Sequence, residues 1–246
     1  MKKLLSVFMF CLMMLMSLGA ICFAEGEQNQ DQDAIAQWLE PAVGDWYSTK
    51  GNHVMSVQDN MINGCQVLSS KDCTYDYPRT GTFQVAESTG NRDMKLDLFG
   101  NNVHQYLVVD NKMLLRRSEH PEYNESVNGI YLGMTRDDLL QHYTQPASTT
   151  VDNGVECRAY TADKMNVYLT HDIVIAIRLY KDSSRHFDKS GLSAADTPAA
   201  YAQAYGLSET PVVPTSTGAI SPAYKAGHGE FLFFGPDYVD LSVYRS

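Results

Sequence analysis

From Trp38 to about Ser118 the chain alternates apolar and polar residues in short runs. These are Val54–Val57, Met61–Ile62, Cys65–Leu68, Gly81–Ala86, Met94–Phe99, Tyr106–Val109 and Met113–Leu115. Turn dipeptides separate them: Asn63-Gly64, Thr89-Gly90, Gly100-Asn101 and Asp110-Asn111. A side-chain period of two, broken at short intervals by such residues, predicts an antiparallel sheet, either sandwich or barrel. Beyond a linker-like break at Glu119–Glu122 the period changes. Thr135 with Asp138 three residues on reads as a helix start, a capping box with Asp in place of Glu or Gln. Leu139, Leu140 and Tyr143 then form a one-sided stripe, and Pro146 stops the helix. Glu156–Tyr160, Met165–Leu169 and Ile173–Tyr180 follow as three strands, so this stretch reads as one helix laid on a meander.

The last residues repeat that plan. A capped helix is predicted between Asp196 and Pro211, and Gly229–Gly235 and Tyr238–Tyr244 mirror the earlier strands. Tyr143 matches Tyr205 at an offset of 62 and Tyr180 matches Tyr244 at 64, which suggests duplication. The fold class expected is therefore α+β. A signal peptide (1–24) and a polar, disordered lead-in (25–37) precede a small β-barrel or sandwich (38–120). Two helix-plus-antiparallel-meander units follow, over 126–182 and 183–246.

The N-terminus gives an address. Lys2 and Lys3 precede the uncharged apolar run Leu4–Leu18, and small residues lead to Ala24. This is the pattern of a secretory signal cut at about Ala24. The competing reading is a membrane anchor, since the run approaches the roughly 20 residues that span a bilayer. Small residues near the exit and the polar segment after Ala24 favour cleavage. Cys22 raises lipidation, but Ile21 stands where a lipobox wants a small residue. No later stretch is long and apolar enough to span, so the chain is read as soluble after cleavage, in the periplasm or outside the cell.

Charge narrows the partners. The 246 residues hold 19 Lys+Arg against 29 Asp+Glu, a net −10, and losing Lys2 and Lys3 takes this to −12. With no basic run to offset it, nucleic acid is not an expected partner. Of five cysteines, Cys11 and Cys22 leave with the signal. Export permits a disulfide, and Cys65 and Cys73, eight residues apart, are the candidate pair. Cys157 reads as a small buried hydrophobe in a strand.

Two resemblances rest on particular residues. Gly44-Asp45-Trp46 followed by a strand, with Arg116-Arg117 closing the segment, resembles the lipocalin-like (calycin) small β-barrels. That resemblance implies a structural role: Trp46 at one barrel end with Arg116 or Arg117 stacked on its ring. A barrel of this length would be filled by side chains or hold a small apolar ligand. The stretch from Leu132 to Pro146 with its following meander resembles the α+β module of the outer-membrane assembly lipoproteins, found in tandem in secreted β-lactamase-inhibitor proteins. It implies a scaffold that presents a sheet face or loops to another protein. The lipidated cysteine of the assembly factor and any inhibitory loop have no counterpart here.

Positive signs of catalysis are missing. There is no G-x-S-x-G elbow, no H-E-x-x-H, no C-x-x-C, no calcium loop and no phosphate-binding glycine loop. His171-Asp172 and His186 near Asp188 are pairs that solvated turns commonly carry. Two glycosidase carboxylates are too weak a demand to exclude from sequence, so a carboxylate-dependent hydrolase stays as a third reading. No catalytic residue, metal ligand or cofactor is assigned. What stands out is tyrosine, 15 residues in all. Tyr75, Tyr77, Tyr123 and Tyr224 fall in turn-rich stretches and are the candidate binding residues, against the plainer reading that β-rich secreted proteins carry Tyr in strands. The leading expectation is an exported, non-catalytic binding protein that recognises another protein. A small-ligand carrier is the alternative.

Overall fold

The computed structural model describes residues 31–143, 145–208 and 223–243. The signal segment, the start of the lead-in, Pro211 and Tyr244 lie outside the described residues. Two compact units divide the chain. One takes residues up to Asp45, Met55–Asp97 and Val109–Asn111; the other takes Trp46–Val54, Leu98–Val108 and everything from Lys112.

Residues 31–39 form helix α1, where composition alone suggested a disordered lead-in to residue 37. Ile35, Trp38 and Leu39 sit at i, i+3 and i+4, so one helical face is apolar even though the flanking residues are polar. All three are fully buried. Trp38 stacks at 4.7 Å from Phe83, and its indole N–H donates to the carbonyls of Thr74 (2.9 Å) and Thr80 (3.1 Å).

A 3-10 turn at Glu40–Ala42 leads into a closed barrel of eight strands in sequential order. They are β1 (Gly44–Ser48), β2 (His53–Gln58), β3 (Met61–Ile62), β4 (Cys65–Lys71), β5 (Arg79–Glu87), β6 (Gly90–Gly100), β7 (Gln105–Val109) and β8 (Met113–Arg116). The alternation read from sequence is visible in β5, where Gly81, Phe83 and Val85 are buried and their neighbours are not. Asn63-Gly64 and Asp110-Asn111 both take positive φ at two successive residues, as type I′ hairpin turns demand.

Past a small hairpin of β9 (Ser126–Val127) and β10 (Ile130–Tyr131), seven strands form one antiparallel sheet. In chain order they are β11 (Ser148–Asp152), β12 (Val155–Tyr160), β13 (Met165–Thr170), β14 (Ile173–Tyr180), β15 (Ala223–Gly227), β16 (Glu230–Phe234) and β17 (Tyr238–Ser242). Their spatial order is β11-β12-β13-β14-β17-β16-β15. Helix α2 (Arg136–His142) precedes β11 and helix α3 (Pro198–Tyr205) precedes β15. Each starts on a threonine whose hydroxyl accepts from the backbone N–H three residues on, Thr135 from Asp138 and Thr197 from Ala200. Leu139 of α2 and Tyr201 of α3 pack on one face of the sheet, with Val167, Ile177, Leu232 and Leu241. Phe99, Tyr106 and Val108 belong to this same core.

Cys65, Cys73 and Cys157 are all free thiols, so the expected Cys65–Cys73 bridge is not formed. Cys65 opens β4 and Cys73 lies beyond its far end. A rise of about 3.3 Å per residue separates the two by roughly 20 Å, far past the ~7 Å limit between bridged Cα atoms.

Candidate functional site

The two faces of the seven-stranded sheet carry different chemistry. Because side chains alternate along a strand, the residues between the core positions of β13, β14 and β17 share the opposite face. The register puts Arg178 directly across from Asp240 on one side and Asn166 on the other, and Tyr180 across from Tyr238. Tyr168 faces Cys157 on β12. All of these belong to the second compact unit.

Arg178 is the centre of this face. Its Nε and Nη2 donate to the two carboxylate oxygens of Asp240 at 2.7 and 2.8 Å, a bidentate pair. The guanidinium also lies over the Tyr238 ring at 3.8 Å from its centroid and stands 5.6 Å from the Tyr168 ring. Asn166 Nδ2 donates to the Tyr180 hydroxyl at 3.1 Å, and Tyr180 meets Tyr238 edge-on. The side chains of Arg178 and Asp240 are 26% and 16% exposed, so they are shielded yet reachable. Hydrogen bonding to Asp240 raises the Arg178 pKa, and the guanidinium stays charged at any working pH. Burial pushes the Cys157 thiol up, which disfavours the thiolate a nucleophile would need. Toward β15 and β16 the same face turns apolar, with Ala223, Phe231 and Phe233 buried.

The tyrosines picked from sequence are not gathered in one place. Tyr75 and Tyr77 sit between β4 and β5 in the first unit and are exposed. Tyr123 is exposed in the second unit and stacks flat on Tyr131 at 4.2 Å. Tyr224 is a correction: it lies within β15, half-buried, on the core side next to Leu232 and edge-on to Phe234. Binding tyrosines are expected in turns, whereas Tyr168, Tyr180 and Tyr238 sit at alternating strand positions. Their signal was the polar half of each strand, Asn166-x-Tyr168, Arg178-x-Tyr180 and Tyr238-x-Asp240.

Of the two candidate arginines it is Arg117 that covers Trp46, 4.9 Å from the ring centroid, and Trp46 is fully buried. Arg116 instead donates to the Glu119 carbonyl at 2.8 Å. His171, Asp172 and Asp188 of the His-Asp pairs each contact other parts of the chain. His171 stacks on Phe99, Asp172 binds Arg136 at 2.7 Å, and Asp188 accepts from Ser126 Oγ and from the backbone N–H groups of Asn128 and Gly129. Among the described residues no three His, Cys, Asp or Glu side chains gather as a metal site, and no helix is long and apolar enough to cross a membrane. No family model, curated protein or solved structure matches this chain.

Proposed function

We propose that this chain is an exported, non-catalytic protein of the bacterial envelope or exterior that recognises another protein through the open face of its seven-stranded sheet. One observation carries the reading: Tyr168, Tyr180 and Tyr238, half-buried, surround a bidentate Arg178–Asp240 pair on the face opposite a filled core. Tyr and Arg held rigid at partial exposure are the residue types that dominate protein interfaces. The signal-like N-terminus supports export.

A tandem of two helix-plus-meander units accounts for the centre of this face. Thr135 and Thr197, the two helix caps, are 62 residues apart, as are Tyr143 and Tyr205. Each run ends on the strand that joins the other, β14 against β17, as two copies related by a twofold would. Arg178 and Asp240 are also 62 apart and face each other, so the axis passes through this pair. The tandem supports kinship in fold with the assembly-lipoprotein and inhibitor module, and the Trp46–Arg117 stack supports the lipocalin-like barrel.

The carrier alternative finds less support. Trp46, Val57, Val67, Phe83, Leu96, Leu98, Leu107 and Leu115 occupy the barrel strands and are 0% exposed. Large side chains at those positions take the room an apolar ligand would need. The test is affinity capture from the cell envelope with the natural chain and with Tyr168→Ala and Tyr238→Ala variants, each checked by thermal melting. A protein held by the natural chain and lost by well-folded variants is the expected result. Capture that the variants leave intact, or a co-purifying small molecule in place of a protein, would count against the open face.

A further inference from the structure

The two edges of the seven-stranded sheet are finished differently. Edge strands expose unpaired N–H and C=O groups, and proteins normally blunt them with lysine, a bulge or a covering group. At one edge β15 has all three: exposed Lys225, a register shift between Lys225 and Gly227, and Asn124 Nδ2 bound to the Ala226 carbonyl at 3.0 Å. At the other, β11 has none among the described residues. Ser148–Asp152 pairs with β12 at five consecutive positions without a shift, every residue is exposed, and Val151 reaches 68% exposure. Ser148 to Val151 carry no charge.

A cavity of about 300 Å³ opens at the start of this strand. Tyr143, Ala147, Tyr160 and Ala162 line it together with the polar Gln145, Thr161 and Asp163, and the two tyrosine rings meet edge-on at 5.0 Å. Ala147 immediately precedes β11, so a chain running along the free edge reaches the cavity mouth.

We propose that β11 is a docking edge for an extended segment of a partner polypeptide, which adds an eighth strand and seats one aromatic side chain in the cavity against the paired rings of Tyr143 and Tyr160. The proposal rests on the protein-binding reading above but uses a different surface. Main-chain bonds to β11 would supply affinity, and alternate side chains the selectivity. Thr149 and Val151 share the core-facing side with Arg158 and Glu156 across β12, and Ala147 continues that parity. An antiparallel segment therefore reads apolar-x-apolar-x-aromatic, its apolar residues facing Val151 and Thr149. A basic residue just before that run would face Asp152, which suits the net −10 of the chain. A second copy fits less well: pairing β11 on itself about Thr150 sets Asn153 opposite Ala147, too small and polar to fill the cavity.

The experiment is selection from a phage-displayed library of linear peptides on the immobilised full chain, with Val151→Lys and Ala162→Trp as variants. Both positions are exposed, so folding is preserved. Enriched peptides should share the pattern, protect β11 amides from exchange, and bind each variant at least about tenfold more weakly. Peptides without the pattern, peptides that bind both variants unchanged, or no enrichment would overturn the proposal. So would a wild-type dimer that Val151→Lys dissociates, which would make the occupant a second copy. The readout is peptide binding and not the captured envelope protein, so this proposal and the open-face reading fail separately.

Discussion

The core face and the open face of the seven-stranded sheet are built from the same strands, one residue out of phase, and they hold together by different forces. On the core face Val167, Ile177, Leu179, Leu232 and Leu241 are at most 0% exposed, and the sheet is stabilised by removing apolar area from water. Across the open face the cross-strand pairs are Arg178–Asp240, Tyr180–Tyr238 and Asn166–Arg178, held by hydrogen bonds and ring contacts at partial exposure. The first face makes the sheet; around Arg178 the second keeps its side chains in fixed positions without fully burying them. Altering that arrangement should cost little stability and, on the proposed reading, much recognition, so mutations can separate the two.

The largest effect should come from the core. Leu241→Ala removes a fully buried side chain from the centre of the sheet and should cost about 3 kcal/mol, within the range for large-to-small core changes. Tyr168→Ala on the open face should cost clearly less. Chemical denaturation of both variants compares the faces directly, and equal losses would contradict the division.

Glu230 is the core face's exception, and pH sharpens it. It opens β16 fully buried, with Oε1 accepting from the Asn124 N–H at 2.7 Å and Oε2 making no hydrogen bond of normal geometry among the described residues. Burial raises its pKa to about 7, against the backbone N–H groups of Asn124 and Glu125, while Glu125 adds to the rise and Lys189 opposes it. The folded chain thus binds this proton more tightly than the unfolded chain, whose glutamate titrates near 4.3. The contribution is complete below that pH and lost as pH rises through about 7. Glu230→Gln should remove this fall, worth about 3–4 kcal/mol. Denaturation at acidic and mildly alkaline pH should show the variant gaining on the natural chain only at the higher pH.

A smaller change tests the helical cover of the core face. Thr135 caps α2 by accepting from the Asp138 N–H at 3.1 Å, and Leu139 anchors that helix in the core. Thr135→Ala should cost about 1 kcal/mol, readable as a lower melting temperature. This cap was legible in the sequence, as were the barrel strands and the hairpin turns, because each is written within a few neighbouring residues. β11 was not, since Ser-Thr-Thr-Val-Asp has no apolar alternation and becomes a strand only by pairing with β12. Helix α1 was hidden for a related reason: Ile35, Trp38 and Leu39 form their stripe among Gln and Asp residues. The open face was missed because it depends on register. Arg178 and Asp240 are far apart in the chain, and only the β14–β17 pairing makes them partners.

The change expected to alter stability least, a double replacement of Arg178 and Asp240, is also the sharpest test of what the open face is for. Replacing one member of a shielded ion pair strands its partner, whereas replacing both with apolar residues of similar size is often neutral. Arg178→Leu leaves the Asp240 carboxylate, itself pushed up by burial, without its bidentate donor. That should cost about 1–2 kcal/mol, discounted from the fully buried case because both side chains touch solvent. Adding Asp240→Leu should restore most of it, bringing the double variant within about 1 kcal/mol of the natural chain. Capture of the envelope protein should not return with it, since the cation over Tyr238 and the carboxylate that orients it are both gone. Recovered stability without recovered capture places the pair's role in recognition. Recovery of both would make Arg178–Asp240 a structural tie and shift the binding site elsewhere on the sheet.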